Sequence, residues 1–450
     1  MRWLLIILFL IGLAIALQAG LVAFAGYVLL GVYLLSRWLA RRWAEDLAAE
    51  RTCDNSPREV GDTLEVAITL RNTGGLPILW VLVEDLLPER TFRRSRFSVK
   101  GKRIQVVNLR PKQTRPIKYK LTFEMRGYYP IGPTMLETGD VFGLHRRHRI
   151  VGEPVYIMVY PKVLPLQKYD FASERPIGEV RLQNRLFEDV TRTAGVRQYM
   201  IGDPFSRIHW RATARTGELH SRIFEPTSLA GATLLVDFHT AGYHSRGEPF
   251  RSDLAVTAAA SIAFAISVLN QQLGLASNGR DAADRIREES LEKASGTEYE
   301  TRDEVREKYE LLDESDRIRP VIVDTRRGID QFQKIREALA RLELSDGLSF
   351  AQLALEIATR VPRDATLIAI LPRVPVETAI ALGTLRRQGF AITALLIGLD
   401  ESEKIEAHGR LLAETVRDIR YMNTEAELMN LGGNTAAPGP AAYAIDIPLA

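Results

Sequence analysis

The pattern of apolar and polar residues divides this chain into three parts, and the first part is almost entirely apolar. Residues 3–35 contain no charged side chain, and two apolar runs flank Gln18. Such a stretch is typical of a membrane segment rather than of a soluble helix. Each run holds about 15 to 17 residues, fewer than the roughly 20 that cross the hydrocarbon layer comfortably. We therefore predict a membrane helical hairpin with a basic flank over residues 1–43, and one longer tilted span is the alternative.

Positive charge lies mainly after the second apolar run. Arg37, Arg41 and Arg42 follow that run, whereas only Arg2 precedes the first one. The more positive flank of a membrane segment stays in the cytoplasm, so both topologies place the rest of the chain there. The predicted location is the cell membrane, with the soluble domains cytoplasmic.

A two-residue period begins after residues 44–52, which we interpret as a short amphipathic linker. Residues 63–70 alternate between polar and apolar side chains and end in a turn at Gly74 and Gly75. Further strand-like runs follow at short intervals, over residues 79–84, 104–109, 117–124 and 155–160. Short strands at this spacing predict an immunoglobulin-like β-sandwich over residues 55–165.

One stretch of the predicted sandwich is strongly basic. Residues 90–103 hold seven lysines and arginines. They are either a solvated strand edge protected by charge, or a contact for anionic lipid headgroups beneath the membrane segment.

Strand and helix patterns alternate from residue 230 onward. Residues 232–238 form an apolar run with Asp237 near its end, the pattern of a buried parallel strand whose carboxyl end carries a polar site. The alternation predicts a doubly wound α/β domain over residues 231–425, after a connector over residues 166–230. Residues 280–319 are rich in charge and predict a solvated helical excursion or a partly disordered insert.

Composition narrows the possible functions. The net charge of +3 over 450 residues argues against bulk binding of nucleic acid. Cys53 is the only cysteine, which excludes an internal disulfide or a cysteine-based zinc site and fits a reducing compartment. The Gly-, Pro- and Ala-rich tail over residues 432–450 is predicted to be loose.

Residues 196–225 concentrate arginine, histidine and aromatic side chains in one short segment. A Gly-Asp-Pro turn signal at residues 202–204 predicts that a short helix follows over residues 205–214. Gly217 is expected to end that helix.

The predicted helix has two faces. Ile208 and Trp210 are expected to face a core, whereas Arg207, Arg211 and Arg215 lie on one stripe. This stripe is either a polar cap that pairs its own charges or a surface for an acidic partner or a phosphate.

The same segment resembles the signature of the domain of unknown function 58 family. The matching positions are Arg197, Tyr199, Gly202, Asp203, Ile208, His209, Trp210, Ala214, Arg215, Gly217 and Leu219. An upstream part of the chain is also similar to that family, at Arg126-Gly127-Tyr128, Ile131-Gly132-Pro133 and Asp140-Val141-Phe142-Gly143-Leu144. Val141 stands where the family usually has proline, and Tyr129 precedes Pro130. The resemblance covers roughly residues 55–400.

We predict that the signature docks a partner or has a structural role. The residues expected to carry this role are Arg197, Tyr199, Gly202, Asp203, Arg207, His209, Trp210 and Arg215. We expect His209 to be hydrogen-bonded within the signature rather than to act as a general base.

The resemblance implies a von Willebrand factor A-like fold for the α/β domain. Such domains often hold Mg²⁺ with Asp-x-Ser-x-Ser at the end of the first strand, because a hard cation takes oxygen ligands. Here Asp237 is present, but His239 and Ala241 stand at the two serine positions. Arg373 follows a later strand, where the usual pattern has an aspartate. We therefore predict a degenerate metal site and no cofactor, with Asp237 as a helix cap or as the partner of a nearby arginine.

Motifs of other catalytic sites are absent from the sequence. It contains no phosphate loop, no His-Glu-x-x-His and no Gly-x-Ser-x-Gly. His145 and His148 lie in a basic turn whose arginines would repel a metal, so we predict that both are solvated. His239 and His244, together with Asp237, remain an alternative set of ligands for a transition metal.

The family resemblance also implies a partner, because its members commonly occur alongside MoxR-type AAA+ ATPases. We expect a non-enzymatic scaffold or adaptor, held in the bilayer by residues 3–35, that works with such an ATPase. Its work would be the assembly or remodelling of envelope or metal-dependent complexes. Two alternatives stay open. One is a metal-dependent enzyme using Asp237 and His239 with Asp203 and His209, and the other is a protein that binds lipid or envelope material.

Overall fold

The computed structural model describes residues 2–17, 20–87, 96–143, 145–166, 188–200, 205, 208–226, 231–244, 247–284, 319–362 and 365–429. The predicted tail over residues 432–450 and most of the predicted charged insert lie outside these residues.

Two apolar helices begin the chain, and they pack against each other. Helix α1 is Arg2–Ala16 and helix α2 is Gly20–Asp46. A Cβ atom added at Gly26 would lie 2.6 Å from Cγ1 of Ile11, so this glycine permits the close approach of the two helices. Among the described residues, α2 and a later helix, Phe250–Val268, are long and apolar enough to cross a membrane. The later helix is mostly buried within the protein.

The second half of α2 packs against the β-sandwich. Its buried residues Tyr33, Ser36, Ala40 and Trp43 recur at helical spacing, and this half of the helix contacts the β-sandwich. Strand β1, Leu47–Cys53, follows α2 with no residue between them.

The prediction of a linker over residues 44–52 was therefore wrong. Strand β1 pairs with β3, Thr63–Asn72, in an antiparallel register. Inward-facing positions of β1 include Leu47 and also Arg51, whose side chain is only 3% exposed. The charged residue at an inward position hid the two-residue period of this strand.

Nine further strands complete the described part of the sandwich. They are β2 (Arg58–Glu59), β4 (Ile78–Asp85), β5 (Phe97–Gly101), β6 (Ile104–Leu109), β7 (Thr114–Phe123), β8 (Gly127–Ile131), β9 (Thr134–Gly139), β10 (Arg146–Val151) and β11 (Val155–Tyr160). Two four-stranded antiparallel sheets are ordered β1-β3-β7-β5 and β10-β9-β4-β6, and a three-stranded sheet is ordered β2-β11-β8.

Apolar residues from both four-stranded sheets form one core, which Trp43 and Leu47 also enter. The described part of the basic stretch forms β5, which lies at the edge of its sheet. This position is the one expected for a strand edge that is protected by charge.

A polar network lies inside this apolar core. The Asp85 carboxylate accepts hydrogen bonds from the Tyr119 hydroxyl and from Thr134 Oγ1, the latter at 2.9 Å. Arg51 Nη1 lies 3.7 Å from Asp85 Oδ1, and the guanidinium also donates to the carbonyl of Ile131. Burial raises the pKa of Asp85 and that of Tyr119. The network ties β1, β4 and β7 together through buried polar groups.

The signature segment forms a hairpin with a short helix between its strands. Strands β12 and β13, Glu188–Gln198 and His220–Pro226, pair antiparallel, and helix α3 is Trp210–Thr216.

A six-stranded sheet forms the centre of the α/β domain. Its strands are β14 (Gly231–Val236), β15 (Gln272–Ser277), β17 (Val321–Arg326), β19 (Thr366–Leu371), β20 (Ala391–Ile397) and β21 (Asp418–Met422), and a small ladder joins β16 (Arg280–Asp281) to β18 (Leu342–Glu343). The strand order is β17-β15-β14-β19-β20-β21. All neighbouring strands of this sheet are parallel except β15 and β17.

Of the six α-helices described in this domain, five lie between strands in the chain and the last follows β21. They are α4 (Phe250–Val268), α5 (Ile329–Arg341), α6 (Phe350–Ile357), α7 (Val376–Arg387), α8 (Glu401–Ala413) and α9 (Glu425–Met429). The Ala-rich α4 is buried, as its apolar composition predicted.

A buried arginine joins the sandwich to the α/β domain. Arg126, between β7 and β8, donates to the carbonyls of Leu339 and Leu342 at 2.9 and 2.7 Å, at the carboxyl end of α5. Its Nε lies 3.6 Å from Asp253 Oδ1, and its guanidinium lies 5.4 Å from the ring centroid of Phe238. Burial raises the pKa of Asp253, and the charge of Arg126 opposes this shift. The arginine therefore contacts three separate elements of the second domain.

A more exposed contact supports the same junction. Arg336 on α5 lies over the ring of Tyr160 at 4.4 Å and donates to Glu59 at 2.7 Å. Gln333, almost one turn earlier, donates to the Tyr160 hydroxyl at 2.7 Å.

Candidate functional site

A crevice opens at the carboxyl ends of β14 and β19. These strands are neighbours, and the chain leaves β14 for β15 on one side before it returns on the other side as β19. Crevices at such switch points of parallel sheets are where α/β domains bind their ligands. The cavity has a volume of about 540 Å³. Its charged lining residues are Asp237, Arg373, Glu377, Glu403, Glu406 and Arg410.

Asp237 lies at the base of this crevice and is 5% exposed. Its Oδ1 accepts hydrogen bonds from Asn278 Nδ2 at 2.9 Å and from the backbone N–H of His239 at 3.2 Å. Its backbone carbonyl accepts from the Tyr243 hydroxyl at 2.8 Å. Burial raises the pKa of the Asp237 carboxyl group, and the hydrogen bond from Asn278 opposes this shift. Within the described chain, the partners of the carboxylate are thus an amide and a backbone N–H rather than the predicted arginine.

The other residues at this position do not fit a magnesium ion. His239 Nδ1 accepts from the backbone N–H of Ala241 at 3.2 Å, so that nitrogen caps a turn. Ala241 has no donor atom in its side chain. Arg373 lines the same cavity and brings positive charge, with Glu403 at 3.5 Å. A hard cation requires several oxygen ligands. The residues at these positions offer the carboxylate of Asp237, and the positive charge of Arg373 lies in the same cavity.

The arginines of the crevice already face acidic groups. Arg373 faces Glu403, and Arg410 pairs with Glu406 and donates to the carbonyl of Val374 at 2.8 Å. The crevice therefore presents charge pairs around a buried carboxyl group. This arrangement is suited to binding a polar surface.

The other candidate metal ligands do not assemble either. Among the described residues, no group of three or more His, Cys, Asp and Glu side chains is placed to hold a metal ion. His148 lies 3.7 Å from Glu137 with its side chain 10% exposed. His145 packs against the ring of Tyr33, with the ring centroids 4.8 Å apart. The prediction that both histidines are solvated was wrong, because α2 and the neighbouring strand cover them.

The state of Asp237 gives a testable prediction about pH. An aspartate whose pKa is raised in the folded state stabilises the fold at low pH, and this contribution is lost as pH rises through the folded pKa. Asp237→Asn removes the ionisable group, so stability is no longer lost as pH rises. The side-chain oxygen of the new asparagine can still accept the hydrogen bond from Asn278. We therefore expect a higher unfolding midpoint at neutral pH and a flatter pH profile for this variant. The measurement is thermal unfolding of the full chain in detergent across acidic to neutral pH.

Asp346 is a matched control for this experiment because it is exposed on the same domain. Asp346→Asn should leave the profile unchanged. A lower midpoint for Asp237→Asn at neutral pH would contradict the prediction and would mean that the crevice uses the charged carboxylate.

The signature hairpin is the second candidate site. His209 Nδ1 accepts from the backbone N–H of Ala212 at 3.0 Å, and so it caps the amino end of α3. Gly217 ends the helix with φ 75°, and its N–H donates to the carbonyl of Thr213 at 2.9 Å. Gly202, Asp203 and Arg207, for which the sequence predicts a docking or structural role, lie outside the described residues.

The start of α3 differs from its prediction. The helix begins at Trp210, five residues later than the predicted start at Phe205. Ile208 instead forms an isolated bridge with Ser221, and the N–H of His209 donates to the carbonyl of His220 at 2.8 Å. These contacts hold the chain against β13 up to His209, so the helix can begin only after them.

The later start also changes which side chain faces inward. Ile208 takes the inward position and is 4% exposed, as predicted. The Trp210 side chain is 65% exposed, so the prediction that it faces a core was wrong.

The hairpin presents apolar and basic side chains to solvent together. Phe205 is 76% exposed and Met200 is 66% exposed, and the ring of Phe205 stacks on Tyr199 with the centroids 6.2 Å apart. Arg211 and Arg215 are exposed on the helix itself. Exposed large apolar residues beside arginine are typical of protein-binding surfaces.

The crevice at Asp237 and the signature hairpin are lined by different residues. His209 is not among the residues that line the crevice with Asp237. The alternative of an enzyme needs these groups to converge in one pocket. Sequence reasoning missed Asn278 and Arg410, which hold the crevice together. Asn278 directly follows an apolar strand, and this is the signal that could have identified it.

The signature segment matches a known protein family, and a larger part of the chain is similar to a bacterial protein. Residues 195–294 match the family model described as "Protein of unknown function DUF58". The chain is 28% identical over 286 residues to "Uncharacterized protein YeaD" of Bacillus subtilis (strain 168), covering 62% of this chain and 69% of that protein.

Two solved structures align with parts of this chain at low similarity. A von Willebrand factor type A protein from Catenulispora acidiphila is 12% identical, with a TM-score of 0.26, over 45% of this chain and 41% of that chain. The CARDB domain of a Pyrococcus furiosus protein is 17% identical, with a TM-score of 0.17, over 25% of this chain and 92% of that chain. The family model and the bacterial relative together support the resemblance of this chain to the DUF58 family.

Proposed function

We propose that this protein is a membrane-anchored scaffold or adaptor that docks a MoxR-type AAA+ ATPase through its signature hairpin. The proposal includes an immunoglobulin-like sandwich, a von Willebrand factor A-like α/β domain and a cytoplasmic orientation. The work of the complex would be the assembly or remodelling of envelope or metal-dependent complexes.

The observation that carries the proposal is the exposed surface of the hairpin. Trp210 and Phe205 are among the most exposed aromatic residues of the described chain, and arginines lie beside them. Exposing a tryptophan to water forgoes the free energy of burial, and tryptophan and arginine are enriched among the residues that dominate the binding energy of protein interfaces.

The charge of the hairpin favours an acidic surface on the partner. Residues 195–222 hold five arginines and two acidic residues, a net charge equal to the +3 of the whole chain. Opposite charge on a partner would speed its encounter with this surface and fix its orientation there.

The continuity of the molecule supports the scaffold role. Helix α2 is long and apolar enough to cross a membrane, and it passes directly into the sandwich. Arg126 then connects the sandwich to the α/β domain through buried contacts. A partner bound to the soluble part would therefore be held at a defined position relative to the bilayer.

The first test is the Trp210→Ala variant of the full chain in detergent. We expect capture of the AAA+ ATPase to fall by about 30-fold, because truncating an interface hot spot costs about 2 kcal/mol or more. The melting temperature should stay unchanged, because the side chain is 65% exposed. Capture is measured with the purified ATPase. Pull-downs from lysate, read by mass spectrometry, check the result, and both measurements are made with and without Mg²⁺.

Phe250→Ala is the matched control, since Phe250 is an aromatic residue that is 69% exposed outside the hairpin. It should leave capture intact. Equal capture by the wild type and by Trp210→Ala would overturn the docking role of the hairpin. Capture that requires Mg²⁺ in the wild type, and that no longer responds to Mg²⁺ in Asp237→Asn, would mean that the crevice does hold a metal ion.

A further inference from the structure

The turn between β9 and β10, residues 140–145, presents apolar side chains that the proposed docking does not use. Val141 is 56% exposed and Phe142 is 67% exposed. Two large apolar residues at the tip of a polar hairpin lose free energy in water unless a partner covers them.

The described part of the turn is rigidly built, so these side chains are held outward. Asp140 is fully buried, and its carboxylate accepts from the backbone N–H groups of His145 at 2.6 Å and Phe142 at 3.1 Å. Trp80 Nε1 donates to the carbonyl of Asp140 at 3.2 Å. Gly143 adopts φ +71°, a conformation that favours glycine.

The position of the turn indicates what covers it. His145 packs on Tyr33 of α2, and Arg149 Nη1 donates to the carbonyl of Leu47 at 3.0 Å. The β9–β10 hairpin therefore runs along α2 with its turn toward the apolar half of that helix. Tyr33 lies about 20 Å before the end of α2 at a rise of about 1.5 Å per residue.

Charged and aromatic side chains gather at the same level. Arg37 and Trp38 on α2 are exposed, the latter by 55%, and Arg147 on β10 is also exposed. Burial lowers the pKa of His145; the negative charge of Asp140 opposes this shift, and the positive charges of Arg37 and Arg147 add to it. A band of aromatic and basic residues is typical of the membrane–water interface.

We propose that the described part of this turn, residues 140–143 and 145, is a second membrane contact, in which Val141 and Phe142 enter the boundary between headgroups and acyl chains. Arg37 and Arg147 then contact anionic headgroups. The inference rests on the membrane anchoring of the proposed function. The turn lies beside the apolar half of α2, and basic residues flank it. These two features favour lipid over a protein as the partner that covers the turn.

The test uses the full chain in vesicles of phosphatidylcholine and phosphatidylglycerol. In a Cys53→Ser background, Phe142→Cys is labelled with an environment-sensitive fluorophore, and quencher-bearing lipids are added to the vesicles. We expect emission from position 142 to shift to shorter wavelength and to lose intensity with the quencher lipids.

Two further labelled positions make the outcome decisive. Leu29→Cys lies in the exposed apolar part of α2, and Thr114→Cys lies in the sandwich at the level of the carboxyl end of α2. Position 29 should be quenched and position 114 should not.

The outcomes separate the inference from the anchoring on which it rests. Quenching at 29 without quenching at 142 would overturn the inference and leave the anchoring intact. Lack of quenching at 29 would refute the anchoring and the turn contact together. A shift at 142 without quenching would overturn the inference in favour of a second copy of this chain as the occupant.

Discussion

Replacing Arg126 with methionine is expected to lower the free energy of unfolding by about 3–5 kcal/mol, the usual loss when one partner of a buried ion pair is removed. Asp253 would keep a partly buried carboxyl group without its cation, and the carbonyls of Leu339 and Leu342 would lose their donor. The measurement is denaturant unfolding of the full chain in detergent, together with limited proteolysis between the two domains.

The loss should also depend on pH. Removing Arg126 raises the pKa of Asp253 further, because the arginine charge opposes the effect of burial. A raised carboxyl pKa gives stability that is present at low pH and lost as pH rises. The variant should therefore be weakened more at neutral pH than at acidic pH.

Arg336→Met is the matched control, since it removes an arginine from the same junction. Its acidic partner Glu59 is 65% exposed, so water replaces the lost contact and the loss should be smaller. Equal losses for Arg126→Met and Arg336→Met would show that burial of the ion pair does not determine the strength of this junction.

The Asp85→Ala variant is expected to cost a similar amount, about 3–5 kcal/mol. Arg51 would remain inside the sandwich with its side chain 3% exposed and without its carboxylate, and the hydroxyls of Tyr119 and Thr134 would lose an acceptor. Chemical unfolding followed by tryptophan fluorescence measures this loss.

Asp54→Ala provides the comparison for Asp85. Asp54 pairs with Arg58 on the same domain, but it is exposed, so its removal should change the unfolding midpoint far less. If the two alanine variants unfold alike, the buried network does not hold β1 in the sandwich.

The predictions from sequence succeeded where apolar pattern alone decides the structure. The run at residues 232–238 and the Ala-rich stretch of α4 both took their expected places, because uniformly apolar segments must be buried. The apolar run at residues 365–371 and the helical pattern at residues 376–388 also correspond closely to β19 and α7. Local periodicity therefore located most of the regular elements in the described α/β domain.

Prediction failed where a polar residue lies at a buried position or a large apolar residue lies at an exposed one. Arg51 occupies an inward site in β1 because Asp85 lies opposite it, and this partner is 34 residues away in the sequence. Trp210 is exposed although tryptophan is usually buried, and a functional surface is a physical reason for that choice. Arg126 gave no sign of its role, because its hydrogen-bond partners lie more than 200 residues further along the chain.

The direct passage of α2 into β1 has a mechanical consequence. A flexible loop at this point would let the sandwich rotate relative to α2 and would absorb any force applied to it. Here Trp43 and Leu47 lie in the sandwich core on either side of the junction, so helix and sandwich turn as one body. A force applied to the sandwich would therefore be transmitted along α2, and the helix and the sandwich would move together as one stiff lever.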